Sequence, residues 1–546
     1  MKNYNNILLG LLVYLLAFAY VDDFRIFVEI KGFFNQEAYI KGIIYFIVYL
    51  LSTYSVLILL NTNKILKIVT YILLFFASVL TNVYSAIDNR LGFAYGDALN
   101  VLQLLNSFVS IEASSSYSNY ILIAILKVSI IFVVIFIANK YLIKKYFHIK
   151  YSLIPIFTFI IVYYLIVFSN SNRLAYNPLY KILDLFLYTY NNKLYDGDRK
   201  DINITLNNDK KFKNIILIVD ESIRGDKLHI NGFDKNTTPF LDKQTNIYNY
   251  GIASSGGVCS NYSESILLTG IQINNLPDTT SLSRRIPTLF HYAKKAGYTT
   301  SLVDLLINKN NNRHFLMKSD FKYIDNPIDL SKKYKVEPYF LDLKGIKEIK
   351  HLIKINKYNF IYFVKYGSHF HYENAYPKTQ RFFSPTQEPD KWQWDLKDKN
   401  KFLNSYYNSI RWSSDSFFKK LYKELNNTDT LIIYTSDHAQ NLMDDLSIKQ
   451  THCAKGPAPI VMAKVPLFII SMNNKPIPFK KENINHASHF NLFGTNLYFM
   501  GYDIKDINKL YGKILFNDLS NQKRYFTSGD IFGRSPMYKN KFEGNK

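Results

Sequence analysis

Residues 214–233, NIILIVDESIRGDKLHINGF, decide how the second half of this chain folds. The first seven of them, Asn214–Asp220, are mostly apolar and favour β-structure, and Glu221 follows directly. A short apolar run of this kind is typical of a buried parallel strand. Ligands and catalytic groups collect at the carboxyl ends of strands in open α/β sheets. We therefore predict a buried strand that presents an acid to a site.

Two further apolar runs lead into polar residues in the same way. Thr430–Ser436 is followed by Asp437 and His438, and Asn359–Val364 is followed by His369. Carboxylates and an imidazole suit Zn²⁺ in a catalytic site that keeps one open position. Any one of these side chains alone is more often a structural hydrogen-bonding group. Their recurrence at equivalent strand ends favours a metal site.

The segment 254–270, SSGGVCSNYSESILLTG, offers a nucleophile. Two glycines lead into an Asn-x-x-Glu sequence that is typical of a helix N-terminus. Backbone N–H groups at such an end favour an anion such as phosphate. Ser260 and Cys259 both lie at this turn, and a metal ion can activate a hydroxyl as it activates water. Taken alone, the segment is better explained as an ordinary glycine turn with a serine cap.

The pattern of elements predicts a soluble α/β domain over residues 214–546. Strand-like runs alternate there with helical patterns, which is typical of a mostly parallel sheet flanked by helices. Before it, residues 174–190 alternate basic with aliphatic and aromatic side chains, as an interfacial amphipathic helix does. Residues 192–213 are polar and rich in charge. We therefore interpret 171–213 as an interfacial helix and a linker.

Residues 1–170 are predicted to form a membrane domain of five transmembrane helices. A bilayer core needs about 20 mostly apolar residues per helix, and five runs approach this length, at 4–21, 42–60, 68–87, 120–138 and 151–170. Lys2 before a leucine-rich core also allows a cleaved signal peptide for the first run. The four runs that follow favour a membrane span instead.

The charges of the loops predict the orientation of these helices. The loops 61–67 and 139–150 carry lysines, whereas 22–41 and 88–119 carry most of the acids of this half. Because cytoplasmic loops are enriched in Lys and Arg, the first pair is predicted to lie inside. Five spans then place the α/β domain outside the cytoplasm, which in a bacterial inner membrane means the periplasm.

The net charge of +23 does not indicate a nucleic-acid partner, because the lysines are dispersed and no basic run reaches five residues. A basic domain outside the cytoplasm is suited by charge to anionic membrane lipid or a phosphorylated glycan. The two cysteines, Cys259 and Cys453, are too few for a disulfide framework. Each adjoins a candidate site residue, so we predict that the two sulfur atoms lie close together.

An ordered set of motifs resembles the phosphoethanolamine transferases of the alkaline phosphatase/sulfatase superfamily, which include the lipid A-modifying enzymes of mobile colistin resistance. The first motif is Glu-Ser-x-Arg-x-Asp with Asn-Gly-Phe, at 221–226 and 231–233. The others follow in order at 286–288, 296–298, 367–369, 376–377, 383–385, 408–410, 436–438 and 465–466. No single motif is decisive, but the ordered set covers nearly the whole chain.

The resemblance implies a sulfatase-like fold and a particular set of site residues. Glu221, Asp437 and His438 match the zinc ligands of the family, with one Zn²⁺ implied and a second allowed. Ser260 stands where the family has its threonine nucleophile, with Cys259 as the competing assignment. His369 matches the histidine beside the site that contacts the donor or a second zinc, and His452 matches the second such histidine, so both are implied to be catalytic and substrate-binding residues. Asn100 and Glu112 match more loosely as residues for the donor headgroup.

Several departures from the family concern the surroundings of the metal rather than its ligands. Residue 220 is Asp where the family has Gly, and Gln440 replaces a Glu. The usual disulfide cysteines of the soluble domain are missing. These differences leave the predicted ligands in place and put the acceptor in doubt.

The activity implied by the resemblance is transfer of phosphoethanolamine from phosphatidylethanolamine, through a phospho-enzyme, to lipopolysaccharide or another envelope glycan. Phosphoglycerol transfer on the same fold shares this logic and is the enzymatic alternative. A formylglycine sulfatase needs Cys-x-Pro-x-Arg, whereas Cys259 is followed by Ser-Asn-Tyr-Ser. A non-catalytic relative that binds glycan or lipid is the third reading, because Asp220 and Gln440 could mark a degenerate site.

Overall fold

The structure is a computed structural model that describes residues 2–35, 37–62, 64–91, 109–143, 153–168, 177–180, 195–207, 209–305, 307, 316–388, 396–448, 450–454, 456–533 and 536–543. The chain forms two compact units, Met1–Lys193 and Leu194–Lys546. The division between them falls inside the stretch interpreted above as interfacial helix and linker. Of the predicted interfacial helix, only residues 177–180 belong to the described part of the chain.

The first unit is helical. Its helices are α1 (Lys2–Val21), α2 (Arg25–Asn35), α3 (Tyr39–Asn61), α4 (Lys64–Leu91), α5 (Val109–Ala138) and α6 (Ile154–Phe168). The helices α1 to α5 share a core that includes Tyr14, Tyr49, Leu57 and Ile135, all buried. Val162 of α6 packs in a smaller cluster with Tyr45 and Val48 of α3. Lys127 of α5 pairs with Asp23 at 2.7 Å, so the one cation of the fourth apolar run has an anionic partner.

Among the described residues, three helices are long and apolar enough to cross a membrane: Tyr39–Asn61, Lys64–Val83 and Ile121–Ile143. A fourth candidate is the pair Asn5–Val21 and Arg25–Asn35, which is bent by 87°. The apolar helix Ile154–Leu165 is shorter. This N-terminal region is therefore a membrane-helix region, and each of the five predicted runs contains helix. The count of five spans stays a prediction.

The second unit is built on a seven-stranded sheet, with the order β2-β7-β6-β1-β5-β3-β4. The strands are β1 (Asn214–Asp220), β2 (Ile247–Ser254), β3 (Thr299–Asp304), β4 (Asn326–Asp329), β5 (Asn359–Val364), β6 (Thr430–Ser436) and β7 (Lys464–Ser471). All neighbouring pairs from β6 to β4 are parallel, and β7 runs antiparallel to β6 and β2. The sheet is therefore mixed but mostly parallel, as the alternation of elements predicts. A hairpin of β8 (Tyr525–Gly529) and β9 (Met537–Lys541) forms a separate small sheet.

Helices cover both faces of the large sheet because its central strands are apolar on both sides. These helices are α7 (Ser260–Thr269), α8 (Leu289–Lys295), α9 (Leu330–Lys333), α10 (Pro338–Ile355), α11 (Lys399–Ile410), α12 (Phe417–Leu425), α13 (Leu492–Met500) and α14 (Ile504–Tyr511). In β1, Leu217 belongs to the core under α8, α13 and α14. Its neighbours Ile216 and Ile218 belong to the core under α10 and α12. Alternate side chains of a strand point to opposite faces, so β1 is buried throughout.

Part of the segment interpreted as a linker packs against the second unit. Ile204 and Phe212 are buried in the same core as Leu217. Arg199 forms a buried ion pair with Asp320, with Nε and Oδ1 2.6 Å apart. Residues 195–213, except residue 208, therefore belong structurally to the α/β unit, which begins before the predicted boundary at 214.

Candidate metal centre

Two adjacent strand ends bring the predicted acids and imidazole together. β1 and β6 are parallel neighbours whose last residues, Asp220 and Ser436, are paired in register. Glu221 follows the first strand, and Asp437 and His438 follow the second, so all three leave the same edge of the sheet. One ligand atom from each lies within 4.8 Å of the others. Among the described residues this is the one group of His, Cys, Asp and Glu that could hold a metal ion.

Ser260 completes the cluster from a different element. It is the first residue of α7, and its hydroxyl Oγ lies 3.2 Å from Nε2 of His438 and 3.5 Å from Oε2 of Glu221. The predicted turn is present, with Cys259 in an extended conformation before the helix. A helix of ten residues thus directs its N-terminal N–H groups toward the side where the cluster lies.

The orientation of these side chains fits a divalent cation. Nδ1 of His438 lies 3.0 Å from the carbonyl oxygen of Ala439. A carbonyl only accepts, so Nδ1 carries the proton and the lone pair of Nε2 faces the cluster. Oδ2 of Asp437 is buried without a hydrogen-bond partner and lies 3.3 Å from that Nε2. A buried carboxylate oxygen without a hydrogen-bond donor is energetically unfavourable. A cation bound between this oxygen and the imidazole lone pair would compensate for the missing donor.

Hydrogen bonds from neighbouring groups hold the carboxylates of Asp437 and Glu221 in place. Oδ1 of Asp437 accepts hydrogen bonds from the backbone N–H of Ser222 at 3.0 Å and of His438 at 2.7 Å. The hydroxyl of Ser222 donates to Oε1 of Glu221. Burial, and next the charge of Glu221, raise the pKa of Asp437 to about 7, partly opposed by His438 and the donors around it. A bound cation would offset this repulsion between the carboxylates of Asp437 and Glu221.

The two predicted histidines lie beside this cluster. The ring of His452 stacks on the ring of His438, with centroids 4.4 Å apart. Burial lowers the pKa of His452 well below its usual range, and the electrostatic effect of the neighbouring imidazoles of His438 and His369 lowers it further. His452 is therefore neutral, and His369 is close enough to affect it. His369 itself is exposed, with Nδ1 2.7 Å from the carbonyl oxygen of Phe370.

The two cysteines form a disulfide, Cys259–Cys453. The predicted proximity of their sulfur atoms is confirmed, although the two residues are 194 positions apart. The competing assignment of Cys259 as nucleophile is wrong for this state of the protein, because a sulfur in a disulfide carries no thiolate. The bond joins the turn before α7 to the loop that carries His452.

The model of the sulfatase family matches residues 213–502, more than half of the chain. The chain belongs to the sulfatase family. Its sulfatase-family region spans β1 through α13, so it contains the whole cluster described above.

A curated protein similar to the chain is the Kdo(2)-lipid A phosphoethanolamine 7''-transferase of Salmonella typhimurium strain LT2. The two are 22% identical over 276 residues, which is 47% of this chain. The match spans only 44% of the length of that relative.

Solved structures give the same picture for the fold of this sulfatase-family chain. The integral membrane lipooligosaccharide phosphoethanolamine transferase A (EptA) of Neisseria meningitidis has a TM-score of 0.62 at 16% identity, over 92% of this chain and 98% of that one. The periplasmic domain of EptC from Escherichia coli, in complex with Zn, has a TM-score of 0.51 at 16% identity, over 62% and 95%. The resemblance predicted from the motifs is confirmed at the level of these relatives.

Sequence reasoning on this sulfatase-family chain missed His489, which lies in a short turn of 3-10 helix after β7. Nδ1 of His489 accepts from the backbone N–H of Gly256 at 3.1 Å and lies 3.0 Å from Oγ of Ser263. Nε2 lies 3.0 Å from Oγ1 of Thr435. Burial lowers the pKa of His489 to about 3. This neutral ring therefore ties the helix of Ser260 to the strand of Asp437, and no motif spacing marks it.

Asp220, one of the departures from the family, lies in a buried ion pair. Nζ of Lys365 lies 2.5 Å from Oδ2 of Asp220 and 3.8 Å from Oδ2 of Asp342, and all three side chains are buried. Oδ1 of Asp220 accepts a hydrogen bond of 3.0 Å from the backbone N–H of Glu221. Gly367, with a φ of 59°, packs so closely on Asp220 and Glu221 that a Cβ would clash with both. The carboxylate of Asp220, at the position where the family has glycine, is thus neutralised by Lys365. It also supports the loop that carries Glu221.

Gln440, the second departure, bridges the metal cluster and His452. Its amide Nε2 donates to the hydroxyl of Ser222 and lies 3.3 Å from Nδ1 of His452. The phenol of Tyr372 donates to Oε1 at 3.1 Å, which fixes the orientation of the amide. Nδ1 of His452 is therefore an acceptor, and the ring carries its proton on Nε2.

The two predicted headgroup residues cannot be placed in the site. Asn100 lies outside the described residues, and Glu112 lies in α5 at a position whose side chain is outside the described part. Their roles stay predictions.

We expect the Asp437→Ala variant of the purified full chain to bind zinc at least about 100-fold more weakly, because loss of even an outer contact costs about 10- to 100-fold. Zinc content after dialysis against a competing chelator measures this. Asp304→Ala is the matched control, since Asp304 is a buried acid at the end of β3 outside the cluster. Equal zinc in both variants would contradict the assignment of the site.

Proposed function

We propose that this chain is a zinc-dependent phosphoethanolamine transferase of the bacterial inner membrane. It takes phosphoethanolamine from phosphatidylethanolamine onto Ser260 and passes it to lipopolysaccharide or another envelope glycan on the periplasmic side. The observation that carries the proposal is the position of the Ser260 hydroxyl. It lies at the N-terminus of α7 and within 3.5 Å of both His438 and Glu221. Membership of the sulfatase family and the named relatives support the same reading.

Glu221, Asp437 and His438, with Oγ of Ser260 as a fourth ligand, would hold the metal. A zinc ion bound there lowers the pKa of a coordinated hydroxyl and offsets the charge of a phosphate group. The buried, unsatisfied Oδ2 of Asp437 supports this assignment. The hydrogen bonds of Ser222 and Ala439 keep the ligands in their orientation.

The proposed transfer consists of two successive displacement reactions at phosphorus. Oγ of Ser260 forms a bond to phosphorus, and the bond from phosphorus to the diacylglycerol oxygen breaks. The proton lost by Ser260 is balanced by the proton gained by that leaving oxygen. In the second half, an acceptor hydroxyl loses its proton as its oxygen forms the new bond to phosphorus, the bond to Oγ breaks, and Oγ of Ser260 takes up one proton in exchange. The N–H groups at the start of α7 stabilise the charge on the phosphate oxygens.

His452 and His369 are the residues that would handle protons and phosphate oxygens. A neutral His452 with its proton on Nε2 is a hydrogen-bond donor, so it can bind a phosphate oxygen or donate a hydrogen bond to the leaving oxygen. His369 is exposed and acts electrostatically on His452, and it is proposed to contact the donor. Asn100 and Glu112 are proposed to contact the ethanolamine headgroup, and five spans in residues 1–170 are proposed to hold the enzyme at its lipid donor.

A sulfatase activity is not supported by this site, although the family carries that name. Formylglycine forms from a cysteine in Cys-x-Pro-x-Arg, and the sequence after Cys259 lacks both later residues. In addition, Cys259 is held in a disulfide with Cys453.

The test supplies two lipids in turn to the purified full chain in detergent, phosphatidylethanolamine labelled in ethanolamine and phosphatidylglycerol labelled in its headgroup glycerol. We expect label on the protein only from the first lipid, and peptide mass spectrometry should place it on Ser260. Label from phosphatidylglycerol alone would replace the proposal with phosphoglycerol transfer. No label from either lipid, with zinc bound, would favour a non-catalytic relative that binds lipid or glycan.

A further inference from the structure

The membrane unit carries a groove between the start of α4 and the end of α5. Its volume is about 650 Å³, within the range of about 300–1,000 Å³ typical of small-molecule sites. The two helices meet so that the first turns of α4 face the last turns of α5. Lys64, Lys67, Tyr71 and Phe75 line the groove from α4, and Phe132 and Phe136 line it from α5.

Charge and apolar surface are separated along this groove. Both lysines lie in the first turn of α4, at one end, while the aromatic rings form the wall. The rings of Phe75 and Phe132 pack edge to face with centroids 5.2 Å apart. Nζ of Lys67 lies 5.9 Å from the ring centre of Tyr71, so the ammonium group lies beside the aromatic wall. The groove is therefore amphipathic, with a cationic end and an apolar wall, which match the phosphate and the acyl chains of a phospholipid.

We propose that this groove binds one anionic phospholipid, with an acyl chain along the aromatic wall and the phosphate between Lys64 and Lys67. An apolar wall inside a bilayer favours an acyl chain over water. Basic residues between transmembrane helices at the cytoplasmic side bind anionic headgroups. A zwitterionic lipid offers the same chains and phosphate but brings a cationic amine to two lysines, so it binds less well.

The position of the lysines assigns the lipid to one leaflet. Lys64 and Lys67 lie in the segment 61–67, which the sequence predicts as a cytoplasmic loop from the positive-inside pattern and whose lysines form the first turn of α4. Lys140, just past the end of α5, lies on the same side of the helices and is exposed. The site therefore faces the leaflet opposite to the one that the proposed reaction uses. It binds a lipid that is not the donor, and it does not depend on the transfer.

The test uses native mass spectrometry of the detergent-solubilised full chain, titrated with phosphatidylglycerol or with phosphatidylcholine as the zwitterionic reference. For the wild type we expect phosphatidylglycerol to bind about 10- to 30-fold more tightly, because each lysine contributes a few-fold to tenfold. The Lys64→Gln/Lys67→Gln variant should lose this preference and keep weak binding of both lipids. Ser129→Trp, which places a large ring in the apolar part of the groove, should weaken both.

Lys140→Gln is the matched control, because Lys140 carries the same charge at the same side without lining the groove. It should keep the preference for phosphatidylglycerol. An unchanged preference in Lys64→Gln/Lys67→Gln would overturn the proposal. An equal loss in Lys140→Gln would also overturn it, since general surface charge would then explain the binding. Neither outcome bears on the labelling of Ser260.

Discussion

The Ser260→Ala variant is expected to lose at least about a thousandfold of the transfer rate, because removal of a covalent nucleophile costs far more than removal of a positioning group. It should also take up no label from phosphatidylethanolamine. Zinc should still bind through Glu221, Asp437 and His438, which keep their contacts, but less tightly because Oγ of Ser260 is lost as a ligand. Transfer from labelled phosphatidylethanolamine to lipopolysaccharide, together with zinc content, measures both parts of the expectation.

Ser265→Ala is the matched control, because Ser265 lies on the same helix and its hydroxyl is buried without a hydrogen-bond partner. This variant should keep most of the transfer rate. Ser260→Thr keeps a hydroxyl at the same atom and should keep measurable transfer. If Ser260→Ala still accepted label, a different side chain would be the nucleophile and the proposed mechanism would fall.

The strand ends of the site were predictable because their signal is local. An apolar run followed directly by an acid or histidine marks the carboxyl edge of a sheet, and β1 and β6 are neighbours in register. The mostly parallel sheet follows from the alternation of elements. The sequence does not predict which strands are adjacent, because the strand order depends on the topology of the whole domain. The distances within the cluster therefore come only from the structure.

The misses share a physical cause, which is that burial of polar residues is set by distant partners. Lys365 follows β5 and looks like any exposed lysine, yet it is buried because Asp220 neutralises it. His489 carries no motif, and its role depends on Gly256 and Thr435, which are far away in sequence. The predicted linker is rich in charge, and its composition does not reveal that Arg199 is buried against Asp320.

The Lys365→Met variant is expected to lower the unfolding free energy of the α/β unit by about 3–5 kcal/mol, because removal of one partner leaves a buried charge without compensation. Asp220 and Asp342 would then lie side by side without a cation. All three tryptophans of the chain lie in this unit, so denaturation of the full chain followed by tryptophan fluorescence reports its unfolding. Lys350→Met is the matched control, because Lys350 pairs with Glu424 at the surface, where an ion pair contributes about 0–1 kcal/mol.

The loss in Lys365→Met should depend on pH with a definite sign. Burial already raises the pKa of Asp342 to about 6, and Lys365 opposes this rise. Without the lysine, the folded state holds this proton still more tightly than the unfolded state does. Stability linked to such a raised pKa is present at low pH and is lost as the pH rises through the folded value. The loss of unfolding free energy in Lys365→Met relative to wild type should therefore be smaller at pH 5 than at pH 8. Adding Asp220→Asn, which keeps an acceptor for the N–H of Glu221, should restore part of the lost unfolding free energy. A deficit that is the same at both pH values and unaffected by Asp220→Asn would mean that lost packing against Phe417, rather than uncompensated charge, explains the effect.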